Sequence, residues 1–301
     1  MSVFLSLTVA GLALGAVYFL AASGLSLIYG LMDVLNFAHG LFMTLGAYAG
    51  WDVAAHLPAS WGGGWLFAIE VIVAALCGGL VALVTELLLI RPLYSRPVSQ
   101  ILVTIGLDLA VVGLLLGGFG SNSLSLPIPL WMLTATRLGS VVVPHADLVA
   151  LVGGVVVLVG LEWFLRRTRY GIIVRAGVEN RGMVRALGID VGRAFTLVFV
   201  IGGAMAGLAG LLYAVVFAGD LVSPTQGDSL LIFAFIVVVI GGLGSIRGSA
   251  VAAVVVGLVQ DYANFYWGSH SGFAEIGNLS VVLILAVVLE WRPRGLFGRA
   301  L

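Results

Sequence analysis

The apolar positions of this chain come in long runs, not in alternation, and the polar residues gather at the breaks between runs. Runs of roughly 18 or more apolar residues cross the ~30 Å hydrocarbon layer of a bilayer as helices. On that basis the pattern predicts helical spans at 4–29, 36–55, 66–90, 99–118, 146–165, 195–217, 229–243, 249–266 and 277–291. The two segments flanking Gly241 to Gly248 are short, so either qualifies as a broken or re-entrant helix, and eight full spans is the alternative to nine. The interruptions at Gly30 to Gly40 and Gly241 to Gly248 are candidates for equivalent points of an internal duplication. The longest connection, SNSLSLPIPLWMLTATRLGSVVVPHAD (121–147), has two prolines near its start and alternating residues near its end, and reads as short strand or turn lying along the surface.

Composition sharpens this into a class. With 61% hydrophobic and 9% charged residues and a mean hydropathy of +1.18, the chain has too little polar surface for a soluble globule. It reads as an all-α integral membrane protein, a polytopic bundle of eight or nine transmembrane helices with broken or short members, forming one transmembrane domain over 1–301. Forty-two glycines suit close approach of membrane helices, and Gly202, Gly203, Ala206, Gly207 and Gly210 form a candidate packing ladder whose partner the sequence leaves open. The single Cys77 lies in an apolar run and reads as a small buried hydrophobe. The opening MSVFLSLTVAGLALG lacks a basic leader and runs on into apolar sequence, which argues for a retained first span.

Charge sets the orientation. All fourteen basic residues are arginine. Alternation of the spans puts thirteen of them on one side, cytoplasmic by the positive-inside rule, and leaves Arg137 outside; the N-terminus then lies outside and the C-terminus inside. The outer connections would carry Asp52, Glu70, Asp147, Asp220, Asp228 and Glu275.

Several chemistries are excluded. A phosphate-binding loop needs a lysine to reach the β- and γ-phosphates, and the chain has none, so ATP is not its own substrate. GLGSIRG (242–248) has its third glycine misplaced for a dinucleotide loop and sits between apolar helices. No metalloprotease histidine pair, serine-nucleophile elbow or nucleic-acid signature is present, and no cofactor is expected on this chain. Inside apolar sequence, Asp33, His39 and Asp108 are the acid–base candidates, which keeps an intramembrane enzyme or a proton-coupled carrier open as rival classes; Asp108 reads equally as a hydrogen-bonded lock between two helices.

Two stretches carry most of the functional signal. Seven of the arginines fall between 166 and 193, where ENRGMVRALG (179–188) reads as a two-turn amphipathic helix closed by Gly188, with Met183, Val184 and Leu187 on one face and Arg181 and Arg185 on another. A helix this short needs something to pack against. The second stretch, DVLNFAHG (33–40), places Asp33, Asn36 and His39 at a helix start. Asn36 suits a helix cap and His39 a packing contact. The functional alternative is a broken region on a translocation path, polar at Asp33, Asn36 and His39 and walled by Phe37, Phe42 and Met43.

These residues carry a resemblance. The 166–193 segment with AFTLVFVIGGAMAGLAGLLYA (194–214), LIYGLMDVLNFAHGLFMTLGAY (27–48), RPLYSRPVSQILVTIGLDL (91–109) and IVVVIGGLGSIRGSAVAAVVVGL (236–258) together resemble the permease subunits of the bacterial branched-chain amino acid ABC importers. The last motif alone is also similar to ribose-type sugar permeases, and Arg247 departs from the apolar residue or proline expected there. The resemblance implies a multi-pass permease of the inner membrane that passes branched-chain or other hydrophobic amino acids, with urea, short amides or aromatic acids as alternatives. It implies a second, similar permease subunit, two cytosolic ATPases that hold ATP and Mg, an extracytoplasmic binding protein and membrane lipid as partners. It also makes 166–193 the segment that docks on the ATPase. Met183, Val184 and Leu187 would fill its groove, Arg181 and Arg185 would meet its rim, and Glu179 and Gly188 would bound the helix.

Overall fold

The computed structural model describes residues 2–32, 36–58, 62–94, 96–139, 141–179, 191–217, 219–268 and 276–298. Within them lie ten α-helices: α1 (Ser2–Met32), α2 (His39–His56), α3 (Gly63–Thr85), α4 (Pro97–Phe119), α5 (His145–Arg167), α6 (Arg169–Glu179), α7 (Val191–Val216), α8 (Gln226–Gly241), α9 (Ile246–Ala263) and α10 (Ile276–Trp291). Six are long and apolar enough to cross a membrane, α8 and α10 are shorter apolar helices, and α2 has 18 residues. Nine of the ten occupy the nine segments that the hydropathy pattern picks out. The tenth, α6, falls in what the pattern leaves as loop. Thr168 caps it, its Oγ1 accepting from the Gly171 amide at 2.9 Å.

Two seams of small residues hold the centre. Gly11 and Gly15 of α1 lie against Leu258, Ala253 and Gly257 of the antiparallel α9, and Gly203 and Gly207 of α7 lie against Ala82, Gly78 and Ala74 of the antiparallel α3. In a bilayer there is no hydrophobic drive between helices, so close backbone approach and packing must supply the attraction. The distances show how close: a Cβ on Gly207 would lie 2.2 Å from the Ala74 carbonyl oxygen, and one on Gly257 would lie 2.4 Å from the Gly15 nitrogen. The ladder of 202–210 therefore joins α7 to α1, α2 and α3.

The two seams pair α1 with α9 and α3 with α7. Both α3 and α9 finish in a π turn, Glu86–Ile90 and Asn264–Gly268. The breaks before α2 and before α8 lead to helix starts that touch at Gly40 and Gly227. The Gly241–Gly248 stretch is instead a tight turn between α8 and α9, with Gly242 and Gly244 at φ of 99° and 79°, conformations that side-chain-bearing residues rarely adopt. Arg247 leaves that turn undisturbed because its side chain reaches away to Glu162 of α5, with Nε donating to Oε1 at 2.6 Å and Nη2 to Oε2 at 3.1 Å.

The ends of the bundle are tied by polar contacts. At the end opposite the Arg247–Glu162 pair, β1 (Leu124–Ser125) pairs with β4 (Leu221–Val222) and β2 (Ala135–Leu138) with β3 (Val141–Pro144), both antiparallel, and the Trp51 indole donates to the Ser125 carbonyl at 3.0 Å. This confirms strand and turn in the long 121–147 connection. At the arginine-rich end, the Leu296 and Phe297 amides donate to the Ile240 and Gly241 carbonyls, supplying partners that the last turn of α8 lacks within the helix. Glu70, expected in an outer connection, is instead fully buried within α3.

Candidate functional site

The site grows from where α2 and α8 begin. The first residue of α2, His39, donates from Nε2 to the Ala21 carbonyl of α1 at 3.1 Å. Ala21 lies eleven residues before the end of α1 at Met32, so α2 starts about 16 Å above that end, inside the membrane. The first residue of α8 does the mirrored thing: Gln226 donates from Nε2 to the Gly210 carbonyl of α7 at 3.3 Å. The next residue in each helix is glycine, and the two glycines meet. A Cβ on Gly227 would lie 2.0 Å from the Gly40 carbonyl oxygen, and the Gly227 amide donates to Thr44 Oγ1 at 3.1 Å. Two helix N-termini therefore abut in the membrane interior, each presenting amide groups that α-helical bonding leaves unpaired.

The approach to α2 is shaped by Asn36. Its Oδ1 accepts from the Ala38 amide at 3.2 Å and its backbone carbonyl accepts from His39 at 3.3 Å, an Asx turn that leads into the helix. The N-cap position falls to Ala38, which has no side-chain oxygen, so Asn36 acts two residues earlier, as a turn and not as the cap. Asn36 is 2% exposed and His39 is fully buried, and among the described residues neither Asn36 Nδ2 nor His39 Nδ1 has a partner. Beside them opens a cavity of about 200 Å³ lined by Leu25, Asn36, Phe37, Leu231, Ile232 and Phe235. Its exposed walls are wholly apolar, and Asn36 borders it with the amide nitrogen buried.

A third polar group enters from α4. Gln100, Thr104 and Asp108 recur every four residues on one face of that helix, the face turned to the protein, and Gln100 and Thr104 are two of the three residues α4 buries. Gln100 Nε2 donates to the Leu93 carbonyl at 2.7 Å. The Asp108 carboxyl lies against the Leu41 amide in the first turn of α2 and against Asp228 in the first turn of α8, while its buried Oδ1 has no partner among the described residues.

Of the residues expected on a path, Asn36, Phe37 and His39 are thus together at the start of α2, with Phe37 36% exposed. Phe42 and Met43 are fully buried against α7: the Phe42 ring meets Phe199 edge-on at 6.1 Å, and the Met43 backbone sits against Gly210. Asp33 lies outside the described residues. So do Arg181, Met183, Val184, Arg185, Leu187 and Gly188 of the coupling segment, and Glu179 is described only as the last residue of α6. What flanks that segment is firmly held. The start of α7 is tied to the end of α3 through buried Glu86, which accepts from Thr196 Oγ1 at 2.9 Å on one oxygen and from the Tyr94 hydroxyl on the other. Burial and the adjacent Glu86 carboxylate push the Tyr94 hydroxyl up, which keeps it a donor.

Sequence reasoning missed Thr44, Gln226, Asp228 and the α8 wall of Leu231, Ile232 and Phe235. A signal was there: His39-Gly40 and Gln226-Gly227 are each a polar residue followed by glycine at the head of an apolar run.

A helical bundle in which two part-spans start inside the membrane beside an apolar cavity defines a multi-pass membrane transport protein. The chain belongs to the family described as branched-chain amino acid transport system / permease component, whose model matches residues 7–290. It is similar to the high-affinity branched-chain amino acid transport system permease protein LivH of Escherichia coli K12, 26% identical over 96% of this chain and 94% of that one. The corresponding protein BraD of Pseudomonas aeruginosa is 28% identical over 98% and 96%. A probable branched-chain amino acid transport permease protein, LivH of Methanocaldococcus jannaschii, is 29% identical over 93% and 88%. No solved structure matches the chain. The family makes it a transport subunit of an ABC importer of the inner membrane, a class that works with ATPase and binding-protein partners.

Proposed function

We propose that this chain passes a branched-chain or other hydrophobic amino acid across the inner membrane. The observation that carries the reading is a pair of buried polar atoms beside the start of α2 with no partner among the described residues, a donor on Asn36 Nδ2 and an acceptor on Asp108 Oδ1, close to an apolar cavity. A zwitterionic amino acid asks for that combination: donors for its carboxylate, an acceptor for its ammonium group, and apolar walls for its side chain. The two helix N-termini add positive potential for the carboxylate. Phe37, Ile232 and Phe235 supply the walls.

Energy comes from elsewhere, since a chain without lysine cannot build a P-loop. The assembly that fits is this permease, a second similar one, two cytosolic ATPases holding ATP and Mg, and an extracytoplasmic binding protein. The 179–188 stretch fits the groove of an ATPase, with Met183, Val184 and Leu187 inward and Arg181 and Arg185 at the rim. Burying the apolar face would contribute roughly 1.5–3 kcal/mol per large side chain, and replacing it by unpaired carboxylates would cost more.

The test is leucine uptake by proteoliposomes holding the whole complex. Asp108→Asn, which removes the charge that the ammonium group would meet, is expected to lower uptake more than tenfold while the complex still assembles; Asn36→Ala is expected to raise the substrate concentration needed for half-maximal uptake. Full uptake by both variants sinks the zwitterion site. Met183→Asp with Leu187→Asp is expected to lose the ATPases on affinity purification, and their full recovery with undiminished uptake sinks the coupling role.

A further inference from the structure

We infer that the groove between α5 and α9 at the arginine-rich end is a binding site for the phosphate group of an anionic phospholipid. The groove has a volume of about 500 Å³ and is lined by Leu158, Val159, Glu162, Trp163, Arg166, Arg167 and Arg247. Its composition changes along α5. Val152, Val155, Val156, Val159 and Trp163 recur at three- and four-residue spacing and are each about 60% exposed, so one face of the helix is apolar and uncovered for nearly its whole length. One turn beyond Trp163 that face ends in Arg166 and Arg167. An apolar stripe closed by a tryptophan and then by cations is the order in which acyl chains, interface and headgroups follow one another in a bilayer.

The charge balance of the groove favours an anion. Among the described residues Glu162 is the one acid lining it, and it spends both oxygens on protein: Arg247 holds Oε1 at 2.6 Å and Arg166 holds Oε2 at 2.6 Å. Three arginines against one carboxylate leave an excess of two positive charges. The Arg166 and Arg247 side chains remain 54% and 62% exposed, and Arg167 has no ion-pair partner among the described residues. Guanidinium groups so placed can grip phosphate oxygens with several donors at once. The occupant is taken to be lipid and not a soluble protein because the groove is continuous with the uncovered valine face, which a bilayer covers with acyl chains. The site bridges α5 to Arg247, the second residue of α9, so a bound lipid would clamp a peripheral helix to one of the central seams.

The experiment uses the full-length protein in mild detergent, titrated with phosphatidylglycerol or phosphatidylcholine and read by native mass spectrometry. Phosphatidylglycerol is expected to be retained at least fivefold better. Arg167→Gln, which breaks no ion pair among the described residues and so has no reason to unfold the chain, is expected to weaken that retention about fivefold, the equivalent of about 1 kcal/mol per basic side chain at a membrane surface. The pair Arg166→Gln and Arg247→Gln is expected to weaken it further, and Arg137→Gln at the opposite end to leave it unchanged. Equal retention of the two lipids, or unaltered retention by Arg167→Gln, overturns the site. Displacement of phosphatidylglycerol by inorganic phosphate would mark a free-anion site, and displacement by added ATPase subunits a protein-facing one; either result also overturns it.

Discussion

Helices α4 and α7 are nearly alike as sequences and opposite as neighbours. Their membrane-crossing segments have 23 and 25 residues and the same mean hydropathy of 2.2, yet 11% of the α4 window is buried against 67% of the α7 window. Both carry glycines. On α7, Gly203, Gly207 and Gly210 each stand where a Cβ would meet another helix within 2.2 Å, whereas a Cβ on Gly106, Gly113, Gly117 or Gly118 of α4 would meet nothing within 4 Å. Hydropathy thus reports that a segment crosses the bilayer and is silent on what surrounds it there. For α7 the surroundings are set by backbone approach, and for α4 by one polar ladder, Gln100, Thr104 and Asp108.

That contrast can be broken by substitution. Gly207→Leu should have the largest effect: its Cβ would fall 2.2 Å from a backbone carbonyl that no rotamer can move, so the cost should exceed the ~1–3 kcal/mol of ordinary overpacking and leave no monodisperse protein on size-exclusion chromatography. Thr196→Val, which removes one of two hydrogen bonds to buried Glu86 where α7 meets α3, should cost about 1.5–3 kcal/mol and lower the thermal midpoint in detergent. Gln100→Ala, which cuts α4 from the Leu93 carbonyl, should cost about 0.5–1.5 kcal/mol by the same measurement. Gly113→Ala should fall within ~0.5 kcal/mol of the parent protein. A Gly113→Ala effect as large as that of Gly207→Leu would show that α4 is covered on its open face by something more demanding than lipid.

These cases mark what was legible in the sequence. All nine apolar helices were, because length and hydropathy are properties of a segment alone. The position of Asn36 and His39 at a helix start was legible too, from the polar cluster that interrupts the apolar runs. The partners were not. Nothing in 202–210 says that Gly207 meets Ala74, and nothing in LVTIGLDLAVVGL says that Asp108 meets the first turns of α2 and α8; both depend on how distant segments cross. The break that meets the start of α2 was hard to read for a related reason: it lies at Gln226-Gly227 and not at the glycine-rich Gly241 to Gly248 stretch, and the contact of Gly40 with Gly227 that singles it out depends on how α2 and α8 cross.

The abutting starts of α2 and α8 have a consequence for the direction of transport. The two helices meet at their starts, and each brings similar equipment there: a buried polar side chain bonded to a neighbouring carbonyl, a glycine, and the positive end of a helix dipole. On the proposed path a solute halfway across would meet a helix N-terminus from either approach, with Asp228 adding negative charge on the α8 side alone. Paired dipoles of this kind would lower the barrier for both journeys, and a vectorial flow would have to be imposed by whatever closes one approach before opening the other.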